Sequence, residues 1–570
     1  MAYSLEPRTG GPAAVAGMTG FGRKDLGLIP VLSLIWLSLA VFVLFPAFKL
    51  LHVVFVVDGS LSLENISAVW KSSYNLRALR NSLVLGVAVA LAGTFLGFCF
   101  AYLTVRMRLP AFFKWIIATL TLLPLISPPF TSSVALTLAL GPNGFLLNLI
   151  GLPNFSFYGF WGTWIAETLT YFPVAYLALA AVLVSLDPNM EDAALSLGRT
   201  PWKVFLTITL PMTTPGLANA LLLLFANSLA DFATPLVLAG TDFPVLPTQA
   251  YLQITGLYDL QGGAGLSVLL LVPALAAYLL QHYWVSRRSY ITITGKSGHR
   301  TSVKGMGAVG ETFVFSLCMF ITLFVIFLYA IIFLASFVTV FGVNHTPTME
   351  HFSYVFQYGR KAIVDTLIIA CIVTPLGGLL AVVIGFITYR KNYFGNRLLD
   401  FTCMLNYALP GTVVGIAYIL SFNEKPLLLT GGLTILVAAY IYRYFAAGIR
   451  SVVASLHQID KNLEEASLSL GADEMRTFFK ITLPLVIPAV LAGMRYLFIH
   501  SMTAISATIF LVSVNWTLLT TRILESMTGL QFAQASAFSV VLIIIVFLGS
   551  GAMTLIANQY SARLAGAGEH

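Results

Sequence analysis

The amino-acid sequence predicts an all-α integral membrane protein of about 12 transmembrane helices, arranged as two parallel six-helix repeats. Three observations carry this. The 570 residues are 58% hydrophobic and only 9% charged, with a mean hydropathy of +0.89, whereas soluble domains are about a quarter charged. The apolar runs are typically longer than the roughly 20 residues a helix needs to cross hydrocarbon, and they lack the alternating pattern of a membrane β-barrel. One polar segment also occurs twice between apolar stretches, as "EDAALSLGRTPWKVFLTITLP" at 191–211 and "EEASLSLGADEMRTFFKITLP" at 464–484.

In chain order, a polar, glycine-rich tail (1–27) precedes the first apolar run. No small-residue cleavage site follows that run convincingly, so a retained helix is expected rather than a signal peptide. The first half, 28–285, is expected to cross at 28–48, 80–105, 113–140, 160–186, 213–239 and 264–285. A joining segment, 286–310, carries the basic stretch "RRSYITITGKSGHRTSVKG". The second half, 311–556, is expected to cross at 311–338, 363–389, 399–422, 431–455, 485–512 and 534–556, and 557–570 forms a second tail.

Positive charge sets the orientation. With the N-terminus inside, the inner loops hold Arg106, Arg108, Lys114, Arg287, Arg288, Lys296, Arg300, Lys304, Arg390, Lys391 and Arg397. About 21 Lys and Arg then lie inside and about 8 outside. Both termini and both copies of the repeated segment are then cytoplasmic. "NSLVLGVAVALAGTFLGFCFAYLTVR", 81–106, also aligns without a gap with "DTLIIACIVTPLGGLLAVVIGFITYR", 365–390. Because the repeated segments share a side, the halves are parallel rather than inverted. The first half has about eleven extra residues, assigned to the outer stretch "GPNGFLLNLIGLPNFSFYG".

Each repeated segment reads as a short helix, a corner and a re-entry. Glu191 and Asp192 follow Asn189, and Glu464 and Glu465 follow Asp460, which suits the positive end of a helix. Small residues come next, Ala193, Ala194 and Ser196 in one copy and Ala466, Ser467 and Ser469 in the other. Gly198 and Gly471 can take the positive φ that lets a helix stop and turn. Pro211 and Pro484 suit the first turn of the next span. A single such loop could simply lie at the interface. Two copies with the same spacing point to a paired partner with two equivalent grooves.

The pattern resembles the "EAA" loop of permease subunits in binding-protein-dependent ABC importers. In that register the chain reads Asp192-Ala193-Ala194, Gly198, Ile208, Leu210 and Pro211, and then Glu465-Ala466-Ser467, Gly471, Ile481, Leu483 and Pro484. Asp192 stands for the usual glutamate, and Ser467 for an alanine. The resemblance implies a type I importer permease fold, here two subunits fused, with a cytoplasmic coupling helix in each half. Glu191, Asp192, Ala193, Ala194, Gly198, Pro211, Glu464, Glu465, Ala466, Ser467, Gly471 and Pro484 would then form the coupling sites. It further implies two copies of a separate ATPase subunit holding ATP and Mg, an extracytoplasmic binding protein, and a bacterial inner-membrane location. "ITGKSG" lacks the first glycine of a P-loop, that position being Tyr290, so Lys296 and Ser297 read as linker residues.

"SLADFATPLVLAG", "PLLLTGG", "QIDKNLEEASLSLGA" and "SMTAISATIFLVS" most resemble the ferric-iron type of fused permease. That group also contains carriers of thiamine, 2-aminoethylphosphonate and sugar phosphates. Ionisable side chains are costly inside spans, which singles out Glu167, Asp231, Arg443, Arg495 and His500. In the loop register Glu167 falls opposite Tyr440, Thr170 opposite Arg443, Tyr171 opposite Tyr444 and Asn227 opposite His500. Glu167, Tyr171, Asp231, Tyr440, Arg443 and His500 are therefore expected to face a central path, with structural pairing or helix capping as the alternative for each. Oxygen ligands would suit ferric iron, while Arg443 and His500 would suit an oxyanion, and composition leaves that choice open. Pro124, Pro128, Pro129, Pro173, Pro375 and Pro410 are expected to kink spans.

The basic balance, +8 at pH 7, is explained by topology rather than by nucleic acid. Cys99, Cys318, Cys371 and Cys403 lie singly without CxxC spacing, which predicts buried free thiols and no metal site. No nucleophile-base pair or metal-spaced histidine set suggests an enzyme. Two rivals to a permease stand at this point. A secondary transporter also often has twelve spans but has no use for two matched docking loops. A non-transporting scaffold or receptor would use the loops for protein binding alone.

Overall fold

The computed structural model describes residues 29–141, 144, 146–147, 151, 156–285, 306–391 and 395–567. The expected N-terminal tail, the "ITGKSG" stretch and most of the extra loop residues lie outside the described residues. Among the described residues ten helices are long and apolar enough to cross a membrane, and counting each of two bent pairs as one span brings the number to twelve. The first half contributes Ile29–Phe55, Ser73–Val105, the pair Ala111–Ile126 and Thr131–Leu140, Phe160–Ser185, Pro201–Ala230 and Leu260–Leu279. The second half contributes Ala308–Ser336, Arg360–Arg390, the pair Asn396–Ala408 and Gly411–Phe422, Leu433–Gln458, Glu474–Thr503 and Phe532–Arg563. They are called here the first to sixth spans of each half. Because six crossings separate the two repeated segments, both emerge at the same end of the bundle.

The third span of each half is bent at the prolines expected to kink it, and the kink is a full break. The first-half pair bends by 99° and the second-half pair by 105°. Ser127 and Leu409, the residues before Pro128 and Pro410, are extended. The proline ring pushes its predecessor out of the helical region and removes a backbone donor, so each helix stops there. Pro173 and Pro375, by contrast, sit inside continuous helices.

The fifth spans are shorter at one end than expected. They stop at Ala230 and Thr503, where Asp231 and Ala504 are extended, and helical turns resume at Ala233–Leu238 and Thr508–Leu511. Apolar residues on both sides of each break hid it from hydropathy. At their other end these spans begin earlier, because Pro211 and Pro484 do not mark a re-entry. Each proline follows one π-helical turn, Phe205–Thr209 or Phe478–Thr482, inside one continuous helix. A widened turn accommodates a residue that cannot donate to the ladder. The sixth span of the second half runs on as helix to Ala567, through most of the expected tail.

Small residues let the second, fourth and fifth spans of each half approach closely. A Cβ on Gly97 would lie 2.6 Å from Ala175 Cβ, and in the matching place one on Gly448 would lie 2.9 Å from Ala381 Cβ. A Cβ on Gly493, in the fifth span, would lie 2.8 Å from Gly448 Cα. Close backbone approach gains van der Waals contact where no hydrophobic drive between helices exists in lipid.

The halves also interlock through their first spans. A π turn, Ala40–Leu44, interrupts the first span. The Phe42 carbonyl within it accepts from Tyr418 Oη at 2.6 Å and from Asn406 Nδ2 at 3.4 Å, both in the second half. Reciprocally, Tyr329 in the first span of the second half pairs with Ser127 at the break in the first half, at 2.5 Å. Satisfying loose backbone and hydroxyl groups across the seam is worth more in an apolar interior than at a wet surface.

Candidate functional site

The repeated segments fold alike. Helices Pro188–Ser196 and Lys461–Ser469 are capped by Asp187 and Asp460, each accepting the backbone N–H two residues on. The cap in the first copy is therefore Asp187, and Asn189 falls inside the helix. Each helix ends in a Schellman turn. The N–H of Arg199 reaches the carbonyl of Ala194 at 3.1 Å, and that of Ala472 reaches Ser467 at 3.2 Å. Gly198 and Gly471 have φ of +84° and +86°, as expected of a helix that must turn away.

The two faces of each segment differ. Glu191 is buried, its Oε2 paired with Arg106 Nη1 at 2.9 Å and its Oε1 accepting from Thr209 Oγ1 at 2.7 Å. Glu464 pairs with Arg390 Nε at 3.2 Å and accepts from Thr482 Oγ1 at 2.9 Å. These two glutamates face the bundle, not the surface. Asp192 is half-buried and Glu465 exposed, and Ala193, Ala466, Gly198 and Gly471 are exposed. Ser467 pairs with Thr477 Oγ1 at 2.9 Å, while the matching positions in the first copy, Ala194 and Val204, are both apolar. The serine that departs from the motif is thus matched by its neighbour.

The outward face carries a feature that the sequence reading missed. Met190, Leu197, Trp202 and Leu206 are exposed in the first copy. Leu463, Leu470, Met475 and Phe479 are exposed at the same four register positions in the second. Leu197 is 86% exposed and Leu470 89%. Isolated exposed apolar residues need no explanation, but four at matched positions, two on each short helix and its turn and two in the first turns of each fifth span, form a candidate interaction surface. The signal was present in the two sequences, as apolar residues repeated on segments otherwise read for their acidic and small residues.

The six intramembrane residues form two groups. In the first half, Glu167 is fully buried. Its Oε2 accepts from Ser228, and its Oε1 has no protein partner. Asp231 accepts the N–H groups of Ala233 at 3.0 Å and Thr234 at 3.2 Å through Oδ1, so it caps the helical turn after the break. Its Oδ2 is buried, with the Tyr171 and Thr234 side chains beside it. Tyr171 lies within electrostatic reach of both carboxylates and of Tyr444 in the other half.

In the second half, Tyr440 Oη pairs with Thr508 Oγ1 at 2.5 Å. Arg443 donates to the Leu409 carbonyl at 3.1 Å and to Tyr444 Oη at 3.3 Å. His500 stacks on Tyr444 with ring centroids 5.0 Å apart and meets Tyr496 edge-on at 4.1 Å. The register explains Arg443. Its counterpart Thr170 reaches Ser132 Oγ at 3.1 Å and the Pro129 carbonyl at 3.4 Å. In each half this position of the fourth span serves the broken third span, whose freed carbonyls need donors.

A cavity of about 570 Å³ opens between the halves towards the end that carries the repeated segments. Asn219, Gln281, Asp400, Tyr407, Arg450 and His457 supply its polar lining. Among the described residues no group of three or more His, Cys, Asp or Glu is placed to hold a metal ion.

Comparison with known proteins gives one consistent answer. The family model described as "Binding-protein-dependent transport system inner membrane component" matches residues 93–290 and again 374–566. A ferric transport system permease protein of Actinobacillus pleuropneumoniae is 33% identical over 535 residues, covering 92% of this chain and 77% of its own. A provisionally named ferric transport permease of Haemophilus influenzae is 35% identical over 506 residues, covering 86% of this chain and 79% of its own. A molybdenum transport system permease protein of Escherichia coli is 30% identical over 202 residues, which are 34% of this chain and 85% of that protein.

Proposed function

The chain belongs to the binding-protein-dependent transport system inner membrane components, two copies of the family unit in one polypeptide, and from that premise we propose that it is the membrane-spanning subunit of an ATP-driven importer of ferric iron. In this reading each repeated segment docks in a groove of one cytoplasmic ATPase subunit, two in all, which hold the ATP and Mg. A binding protein delivers cargo at the opposite face. Both termini are cytoplasmic, as the positive-charge bias supports, and the membrane is the bacterial inner membrane.

The observation that carries the proposal is the matched apolar face: Met190, Leu197, Trp202 and Leu206 on one segment, Leu463, Leu470, Met475 and Phe479 on the other. A secondary transporter has no use for such duplicated handles. Co-purification with an ATPase subunit, followed by ATP hydrolysis stimulated by cargo-loaded binding protein, tests it. Hydrolysis indifferent to cargo, or no ATPase bound, would reject it.

Ferric iron is favoured as cargo by the names of the full-length relatives and by the chemistry of the seam. Glu167 has a buried oxygen free of protein partners, Asp231 and Tyr171 lie within electrostatic reach of it, and hard cations prefer oxygen donors. Arg443, the group an oxyanion would want, is already committed to the Leu409 carbonyl. Glu167, Tyr171, Asp231, Tyr440, Arg443 and His500 then border a polar route that continues by Tyr496 and Tyr407 into the cavity between the halves. Identification of the ligand carried by the cognate binding protein tests the cargo. Glu167→Gln and Arg443→Gln, each with assembly verified, are expected to abolish uptake, and near-normal uptake in both would reject the route.

A further inference from the structure

We propose that Arg106, Glu191 and Thr209, with Arg390, Glu464 and Thr482, are positioning residues that fasten each docking helix to its second span, so that movement of the helix is delivered to that span directly. The inference rests on the docking role proposed above. Chain connectivity alone joins a docking helix only to the fourth span before it and the fifth span after it. The second span ends far away in sequence, and it is brought to the docking helix by one arginine in each half.

The same four elements meet in both copies, Arg106 pairing with its glutamate through Nη1 and Arg390 through Nε. Arg106 follows the last residue of the helix Ser73–Val105, and Arg390 is the last residue of Arg360–Arg390. Besides its glutamate, each arginine reaches the backbone at the end of the fourth span. Arg106 Nη2 donates to the Leu183 carbonyl at 3.3 Å, and Arg390 Nη2 to the Ile459 carbonyl at 3.4 Å. Each glutamate then accepts from a threonine in the π turn of the fifth span. Second span, fourth span, docking helix and fifth span thus meet at one charged knot. The pairing holds although the first half carries extra residues between arginine and glutamate, so local sequence does not impose it.

Burial gives the knot its stiffness. The side chains of Arg106 and Glu191 are 4% and 10% exposed, and those of Arg390 and Glu464 are 5% and 18%. A buried ion pair is weak evidence for stability, since desolvation offsets much of the attraction. Its better-attested use is to fix one arrangement of elements over others, and here that arrangement is the angle between docking helix and second span. The outward apolar face takes no part in the knot, so binding and transmission are separable.

The test uses the full permease in nanodiscs with its purified ATPase subunit and cargo-loaded binding protein. The double variant Arg106→Gln with Arg390→Gln is expected to bind ATPase within about twofold of wild type, while stimulation by loaded binding protein falls about tenfold or more, in the range of measured coupling between sites. Arg106→Lys with Arg390→Lys should recover part of the stimulation, because the charge remains but not the fork. A second arm replaces Arg106 and Glu191, and likewise Arg390 and Glu464, by cysteine, with Cys371, which is exposed rather than buried as expected, changed to serine. A short bifunctional thiosulfonate is expected to restore stimulation, and reduction to remove it again. Stimulation retained in the glutamine variant would overturn the proposal, as would an uncoupled protein that cross-linking leaves uncoupled. Loss of ATPase binding in the glutamine variant would also overturn it, by making the knot a requirement for docking. Failure of wild type itself to bind ATPase would instead defeat the docking reading.

Discussion

Truncating Leu197 and Leu470 to alanine removes the two most exposed apolar side chains of the repeated segments, 86% and 89% exposed respectively. Because so little of either is buried in the free protein, nearly all of its transfer free energy remains to be gained on docking. Each truncation deletes three carbons, which at ~0.8 kcal/mol per methylene gives about 2 kcal/mol per groove. That corresponds to about 30-fold in Kd at each site. If one ATPase dimer engages both segments together, the losses multiply in the double variant towards about 1,000-fold. The assay is a titration of purified ATPase subunit onto permease in nanodiscs, for each single variant and the double. The melting temperature of the free permease should not change, since no buried contact is lost. An unchanged Kd in the double variant would refute the assignment of this face to docking. An equal loss from Leu91→Ala, an exposed leucine within the second span, would refute it too, by showing that the effect is not confined to the segments.

Three further outcomes are expected. Gly198→Ala and Gly471→Ala meet no neighbouring atom, but each places a side chain at positive φ, which costs roughly 1–2 kcal/mol and should appear as faster hydrogen exchange in the helices Pro188–Ser196 and Lys461–Ser469. Gly493→Val drives a side chain against the Gly448 backbone, where even a Cβ lies at 2.8 Å. The overpacking should destabilise by about 1–3 kcal/mol, read as a lower melting temperature in detergent. Asp231→Asn keeps a side-chain cap for Ala233 and Thr234 while removing the charge. Uptake should fall with stability retained, whereas normal uptake would leave Asp231 a structural cap only.

Much of the molecule was legible because the signals are local. Hydropathy located twelve crossings, since every residue of a span faces the same apolar demand. Gly198 and Gly471 were readable as corners because left-handed backbone strongly favours glycine. Elements that end on a single side chain were not readable in this way. Asp231 stops a fifth span among apolar residues, and Asp187 caps the helix Pro188–Ser196. Several nearby polar residues could have served, and only the final geometry chooses among them.

The sequence by itself determined the class of the protein, its duplication and the position of both repeated segments, because periodicity, composition and repetition along a chain encode local conformation and solvent. Only the tertiary structure decided what each polar residue does. It turned Glu191 and Glu464 inward onto Arg106 and Arg390, left two rows of apolar side chains facing out, and assigned Arg443 to the break in the third span. Those outcomes depend on which groups lie within a few ångströms after packing, and residues as far apart in the chain as Arg106 and Glu191 carry no mark of each other until the spans have assembled.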